Sequence, residues 1–363
     1  MKIIFVGGGT IGSVSPLLAI KDKLIEQKIC SDFLWIGTEG GIEKQIIEKE
    51  KLPYFSVKCG KIRRYFSLKN FSAPFLTLFG VFQSLKIIWK YKPDAVLSAG
   101  SFVGVPAVIA ARILRRKTFI HQQDIRPGLA NKLCAPWATT VTVSFEQSKK
   151  YFSAAKTIVT GNPVREKIFN GRKDEAIKKF GLEADLPTLL IMGGSLGAEK
   201  LNELVFGAVP YLIDFCQIIH ITGMGQIIDW EDKEKFGVRA SRYHSIEYLY
   251  DDLVEAYAVA DLVVCRSGMS TLTELAALKK AIVTIPIPDN QQEENAQYFD
   301  SKNAIVILDQ EKTSSNDFFI IIKGLMENVN SLERLRDNIA PVMISEATKR
   351  YVDLLVSSLT AKK

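Results

Sequence analysis

Cysteine is scarce in this chain and poorly placed for bridges. Five are present, Cys30, Cys59, Cys134, Cys216 and Cys265, odd in number, scattered, and without the short spacings of a metal knot. A disulfide framework is therefore excluded as the source of stability, and thiols in a reducing compartment are expected. Paired acids in a metal-binding arrangement are missing too, so neither a metal nor another cofactor is expected. No signal-peptide core opens the sequence: Met1-Lys-Ile-Ile-Phe-Val6 reaches glycine too soon, reads as a first strand, and argues for a protein kept inside the cell. A membrane span needs about 20 consecutive apolar residues. The best stretch, Lys58 to Lys92, is interrupted by Lys86 and diluted by Pro74, Gly80, Gln83 and Ser84. Charge of one sign is only in mild excess, 47 Lys+Arg against 40 Asp+Glu for a net of +7. That lean suits phosphate ligands or acidic lipid without choosing between them, and nucleic acid is not expected as a partner.

What is present fits a soluble globular protein, with 47% hydrophobic and 24% charged residues. At 363 residues the chain is long for one domain and comfortable for two, each burying its own core. Lys2 to Val6 opens into Gly7-Gly-Gly-Thr-Ile-Gly-Ser13 and then a helix from about Pro16 to Gln27. This strand, glycine-rich turn and helix set bare amides where phosphate or sugar oxygens approach. Gly7, Gly9 and Gly12 match G-x-G-x-x-G, so a nicotinamide or flavin enzyme has to be weighed, although Glu39 sits late for the expected ribose acid. The opening recurs half a chain later, where strand Thr188–Met192 runs into Gly193-Gly-Ser-Leu-Gly-Ala198 and a helix. Two such openings predict an α/β protein of two doubly wound domains sharing a cleft. The joint is expected at the Gly-Asn-Pro turn of Ile158 to Arg165, giving domains 1–163 and 164–340. A last helix, residues 341–363, is expected to pack back on the first domain.

The most informative stretch runs from Leu262 to Gln292 and predicts strand, helix, strand. Parallel sheets bind ligands beyond the carboxyl ends of their strands, which puts Ser267 to Glu274 and Asp289 to Gln292 in that position. Helix-start amides near Ser270 and Thr271 suit a phosphate, Glu274 accepts from two sugar hydroxyls, and Gln291 both donates and accepts. The plainer alternative is a capping box, with Thr271 and Glu274 serving each other's backbone amides. Two further stretches stand out. Lys58 to Lys92 joins Lys58, Lys61, Arg63, Arg64 and Lys69 to Phe71, Phe75, Phe79, Phe82 and Trp89, which fits a helix lying on an anionic membrane; a buried sheet-covering helix is the alternative. Thr118-Phe-Ile-His-Gln-Gln-Asp124 ends a strand in polar groups, of which His121 alone would more often be structural.

In order along the chain stand Gly8-Gly-Thr-Ile-Gly-Ser-Val-Ser-Pro16, His121-Gln-Gln-Asp124 with Pro127-Gly-Leu, Gly161-Asn-Pro-Val-Arg165, Gly193-Gly-Ser-Leu-Gly-Ala198, Tyr250-Asp-Asp252, Arg266-Ser-Gly268 with Glu274, and Asp289-Asn-Gln-Gln292. Together these resemble the MurG family of bacterial cell-wall glycosyltransferases. The resemblance implies a GT-B fold, UDP-N-acetylglucosamine as donor, and undecaprenyl-pyrophosphoryl-N-acetylmuramoyl-pentapeptide as acceptor. It also implies inversion at the anomeric carbon and a peripheral seat on the cytoplasmic face of the cell membrane. By position it assigns the ribose hydroxyls to Glu274, the uracil edge to the backbone at Tyr250, and the diphosphate to Ser195. Met269, Ser270, Thr271, Leu272 and Thr273 would line the nucleotide, and Gln291 and Gln292 would take the sugar hydroxyls. Arg165 would approach the nucleotide from the joint, with Thr10, Ile11, Gly12 and Asp124 contributed by the first domain.

Two departures bear on catalysis. The family's first turn reads Gly-Gly-Thr-Gly-Gly-His, whereas Ile11 and Ser13 fill the fourth and sixth places here, and a serine hydroxyl is far too weak a base at neutral pH. Where the family has His-Glu-Gln-Asn, this chain has Gln122 and Asp124. The candidate catalytic residues are therefore Asp124 as base, His121 assisting, and Ser13 by position only. Three readings stay open: the transferase, a related GT-B enzyme with another lipid or small-molecule acceptor, and a non-catalytic UDP-sugar-binding protein. For Lys58 to Lys92, lipid and a neighbouring cell-wall synthesis enzyme are both open as partners.

Overall fold

The computed structural model describes residues 1–60, 69–194, 198–226 and 233–361. The chain divides into two compact units, Met1–Arg165 with Ile344–Lys363, and Glu166–Met343. These joints fall a few residues beyond those expected at 163/164 and 340/341.

The first unit holds β1 (Lys2–Val6), α1 (Ser15–Glu26), β2 (Asp32–Gly37), α2 (Glu43–Lys49), β3 (Tyr54–Ser56), α3 (Lys69–Tyr91), β4 (Ala95–Ser98), α4 (Gly104–Ile113), β5 (Lys117–Gln122), α5 (Leu129–Cys134), β6 (Thr140–Val143) and β7 (Thr157–Val159). The second holds α6 (Lys173–Phe180), β8 (Thr188–Met192), α7 (Glu199–Leu212), β9 (Gln217–Ile221), β10 (Tyr243–Ile246), α8 (Leu253–Val259), β11 (Leu262–Cys265), α9 (Met269–Ala277), β12 (Ala281–Thr284), α10 (Gln291–Asp300), β13 (Val306–Ile307), α11 (Ser315–Met326) and α12 (Val329–Ile339). The last helix, α13 (Ala347–Thr360), belongs to the first unit.

Both sheets are parallel throughout, ordered β3-β2-β1-β4-β5-β6-β7 and β10-β9-β8-β11-β12-β13. Their central strands, such as Thr188–Met192 and Leu262–Cys265, are buried along their whole length. Continuous apolar runs are what a parallel sheet covered on both faces requires. Each strand order reverses once, between β1 and β4 and between β8 and β11. A reversal diverts neighbouring connections to opposite faces and opens a crevice at the carboxyl ends of those strands. The turns after β1 and β8 and the start of α9 lie at these two crevices.

Helix α13 packs along α1, and Lys117 Nζ donates to the Ser358 carbonyl. The chain returns closely enough that a Cβ on Gly161, at φ +81°, would sit 2.8 Å from side-chain atoms of Ala347 and Ile344. Helix α3 lies against α4. It buries Ala73, Val81, Ser84 and Ile88 but turns Phe75, Leu78, Phe79, Phe82 and Trp89 outward, from 52% to 76% exposed. A wholly buried sheet-covering helix, the plainer expectation for this stretch, is therefore incorrect. Among the described residues it is the one helix long and apolar enough to cross a membrane, with a mean hydropathy of 1.2 over Ser72–Tyr91.

Candidate active site

The first crevice is built on a buried carboxylate. Glu43, fully buried at the start of α2, accepts from the Gly9 amide at 3.0 Å and the Thr38 amide at 2.7 Å, and Tyr54 Oη donates to it at 3.2 Å. A Cβ on Gly8 would come within 2.2 Å of Glu43 Oε1, so only glycine allows this approach. Of the amides in this turn, that of Gly9 is already held by a carboxylate. Ser13 is buried in the same turn. Its hydroxyl donates to the carbonyls of Gly8 and Thr10 at 3.4 and 3.2 Å, which shapes the turn. Thr10 is exposed, and Ile11 and Gly12 are half-buried.

At the end of β5, Gln123 Nε2 donates to the Gly12 carbonyl at 2.9 Å and the Ala99 carbonyl at 3.1 Å, tying the turns after β1, β4 and β5 together. Asp124, half-buried, follows directly. Its loop is held by Gln122 Nε2, which donates to the carbonyls of Asp124 and Arg126 at 2.8 and 3.4 Å. Those are donor roles that a carboxylate in place of Gln122 could not fill. His121 is enclosed within the unit. Its side chain is fully buried, its ring nitrogens meet Thr142 Oγ1 and Asn162 Oδ1 at 2.9 Å each, and Tyr351 of α13 packs edge-on against it. Burial pulls its pKa down to about 4, so it stays neutral and structural.

Arg165 is held by carboxylates of its own unit. It is 7% exposed, with Nε 2.7 Å from Asp22 and Nη1 2.7 Å from Glu50, while Lys21 pairs with the same two carboxylates. Burial alone would raise the Glu50 carboxyl, but hydrogen bonds from Arg165 and Lys21 outweigh it and hold it at about 2. The guanidinium thus joins a largely buried four-charge cluster with Lys21 and Asp22 of α1 and Glu50 at the end of α2. Beside it, Thr348 Oγ1 donates to the Val164 carbonyl at 2.9 Å.

In the second unit, α9 begins at Met269 with Gly268 as its N-cap, and among the described residues no side chain caps it. Thr271 and Glu274 are then both inside the helix, so the capping-box alternative is excluded. Glu274, half-buried, accepts at Oε2 from the phenol of the buried Tyr257 on α8 at 3.0 Å. Ser270 and Thr271 are half-buried, whereas the side chains of Met269, Leu272 and Thr273 are at most 3% exposed. Gln291 and Gln292 open α10 after the adjacent strand β12, and Gln292 Oε1 accepts from the Ile287 amide at 3.3 Å. Tyr250 precedes α8 with Lys167 Nζ 4.6 Å from its ring centroid. Ser195 lies outside the described residues, as do Lys61, Arg63 and Arg64.

Sequence reasoning gave no role to three residues. Glu43 holds the turn after β1 through the Gly9 amide and Tyr257 holds Glu274 on α9, and nothing in their local sequence marks either. Arg266 stands in a quoted motif; it donates to the Ile285 carbonyl at 2.8 Å and to Gln310 Oε1 at 2.6 Å, bracing the ends of β11 and β12.

The glycosyltransferase family 28 N-terminal domain matches residues 3–143, and the glycosyltransferase family 28 C-terminal domain matches residues 188–351. A Clostridium botulinum protein named UDP-N-acetylglucosamine--N-acetylmuramyl-(pentapeptide) pyrophosphoryl-undecaprenol N-acetylglucosamine transferase is 38% identical over 96% of this chain and 99% of its own. A Bacillus cereus protein of the same name, numbered 2, is 38% identical over 96% of this chain and 95% of its own. The crystal structure of Acinetobacter baumannii MurG matches with a TM-score of 0.70 and 27% identity, covering 98% of this chain and 100% of that one. With two doubly wound units in succession, the fold class is α/β, GT-B. The chain belongs to glycosyltransferase family 28, among the N-acetylglucosamine transferases of peptidoglycan synthesis.

Proposed function

We propose that this protein transfers N-acetylglucosamine from UDP-N-acetylglucosamine to the 4-hydroxyl of undecaprenyl-pyrophosphoryl-N-acetylmuramoyl-pentapeptide, with inversion. The observation that carries the donor half is Glu274. At the second unit's strand-order reversal, it lies within α9, whose N-cap is Gly268, and is steadied by Tyr257. Its carboxylate takes the ribose hydroxyls, the backbone from Met269 to Thr273 lines the nucleotide, and the backbone at Tyr250 reads the uracil edge. Gln291 and Gln292 take hydroxyls of the transferred sugar, with Ser195 and its turn at the diphosphate.

On the acceptor side, Asp124 accepts the proton of the 4-hydroxyl as that oxygen bonds to the anomeric carbon. The bond from that carbon to the β-phosphate oxygen breaks on the opposite side, and UDP leaves with the electron pair. With His121 neutral and enclosed and the Ser13 hydroxyl engaged in its own turn, Asp124 is the base favoured by the local geometry. Thr10, Ile11 and Gly12 form the loop beside it.

The same reading seats the protein on the cytoplasmic face of the membrane through α3. Its outward Phe75, Leu78, Phe79, Phe82 and Trp89 and its exposed Lys86 and Lys90 have the mixture of apolar and basic groups that anionic bilayers bind. In this role the protein serves peptidoglycan synthesis and with it cell shape and division.

The deciding assay follows UDP release from UDP-N-acetylglucosamine. Release accelerated only by a muramoyl lipid acceptor is the expected result. No acceleration, or equal acceleration by unrelated lipids, would overturn the reading.

A further inference from the structure

We propose that a cavity of about 280 Å³ lined by Arg126, Pro127, Leu129 and Lys132 is the seat of the acceptor's diphosphate. This rests on the transferase reading and extends it from the sugar to the group beside it. In the acceptor, a diphosphate joins the muramoyl sugar to a lipid chain. Along this unit the proposed base Asp124 is followed by Arg126 and Lys132, and the apolar side chains Leu129, Leu133 and Trp137 are 40–42% exposed. Base, cations and greasy surface thus occur together, as sugar, diphosphate and lipid do in the substrate.

Another candidate phosphate seat in this unit is the first glycine-rich turn, where one amide is already engaged. The fully buried Glu43 carboxyl already accepts from the Gly9 amide, which is therefore not open to a phosphate. At the cavity the sign is favourable. Arg126 and Lys132 are both exposed there, and a guanidinium fork matches phosphate oxygens two at a time.

The backbone carrying these groups is already ordered. Gln122 donates to the Arg126 carbonyl at 3.4 Å, Ser148 Oγ donates to the Ile125 carbonyl at 2.9 Å, and Asn131 Nδ2 donates to Gln122 Oε1 at 2.7 Å. A preset loop loses less freedom when it captures its ligand.

The acceptor has a second source of oxyanions, the carboxylates of its peptide, and the test separates the two. Binding of inorganic diphosphate is measured by calorimetry with UDP saturating, on the wild type and on Arg126→Ala/Lys132→Ala. An equal gain in melting temperature with UDP shows that the double variant is folded. At least about a tenfold loss of diphosphate affinity is expected for two charge-assisted contacts. Unchanged affinity, or no binding by the wild type, would overturn the proposal. Acceptor KM is then compared for the full acceptor and for an analogue without its peptide. A rise of about tenfold with both, at constant donor KM, supports the diphosphate. A rise only with the peptide-bearing acceptor assigns the cavity to a carboxylate and overturns it. If the wild type turns over neither acceptor yet binds diphosphate through Arg126 and Lys132, the transferase reading fails while the anion seat stands.

Discussion

The phenol of Tyr257 donates to Glu274 Oε2 at 3.0 Å, so a residue buried in α8 fixes the direction of a carboxylate on α9. Burial, with the adjacent Glu274 charge, pushes the phenol well above its ordinary range, so it remains a donor throughout neutral pH. Tyr257→Phe should raise donor KM by roughly threefold to tenfold and cost about 1 kcal/mol of stability. Glu274→Ala should weaken UDP by roughly tenfold to a hundredfold. Donor kinetics and thermal protection by UDP measure both. Equal UDP affinity in all three proteins would remove Glu274 from the nucleotide site.

Asp124 is expected to act in turnover and not in donor binding. Asp124→Asn should lower kcat by about a hundredfold to ten-thousandfold with UDP binding unchanged. His121→Gln should act through stability instead, because both ring nitrogens are bonded inside the unit. Undiminished turnover in Asp124→Asn would assign the base elsewhere.

The cluster of Lys21, Asp22, Glu50 and Arg165 makes a prediction opposite to a nucleotide-contact role for Arg165. Arg165→Met should destabilise the protein by about 3 kcal/mol, because it leaves the largely buried Glu50 carboxylate short of a partner. UDP affinity of the folded protein should not change. A large loss of UDP affinity at constant melting temperature would restore the nucleotide contact.

Acid stability should report the same cluster. The folded Glu50 carboxyl is held at about 2, below the ordinary 4.5. The stability it contributes is therefore fully present above about pH 4.5 and lost as pH falls through about 2. Urea unfolding between pH 6 and pH 2 should show a loss in the wild type that is smaller in Glu50→Gln. Identical acid dependence in both would remove this carboxylate from the acid response.

The outer face of α3 should govern lipid attachment. Phe75, Phe82 and Trp89 are 76%, 62% and 68% exposed, so changing all three to Ser removes apolar area without touching the core. Binding to anionic vesicles should fall by roughly tenfold or more, given about 1.5–3 kcal/mol for each side chain fully buried in lipid. Undiminished binding in the folded triple variant would move the membrane seat elsewhere.

Much of this was legible in the primary structure because local chemistry encodes it. Apolar runs such as Thr188–Met192 announce parallel strands, and repeated glycine-rich turns announce two domains, since both signals depend on neighbours in the chain. The ordered motifs indicate the donor class for the same reason. Contacts between distant segments were not legible. The capping-box alternative for Thr271 and Glu274 fits the local pattern equally well, and only the start of α9 at Met269 dismisses it.

By itself the sequence determined the two α/β domains, the crevice-facing segments and the family, because strand period, turn chemistry and motif order are properties of short stretches. Tertiary structure alone decided which polar groups remain for a ligand. It placed Glu43 under Gly9, enclosed His121 between Thr142, Asn162 and Tyr351, and closed Arg165 onto Asp22 and Glu50. The partners in each case lie between about 20 and 230 positions apart along the chain. A buried charge or hydrogen-bonding group must be satisfied by whatever the fold brings beside it, and that neighbour is set by three-dimensional packing rather than by adjacent residues.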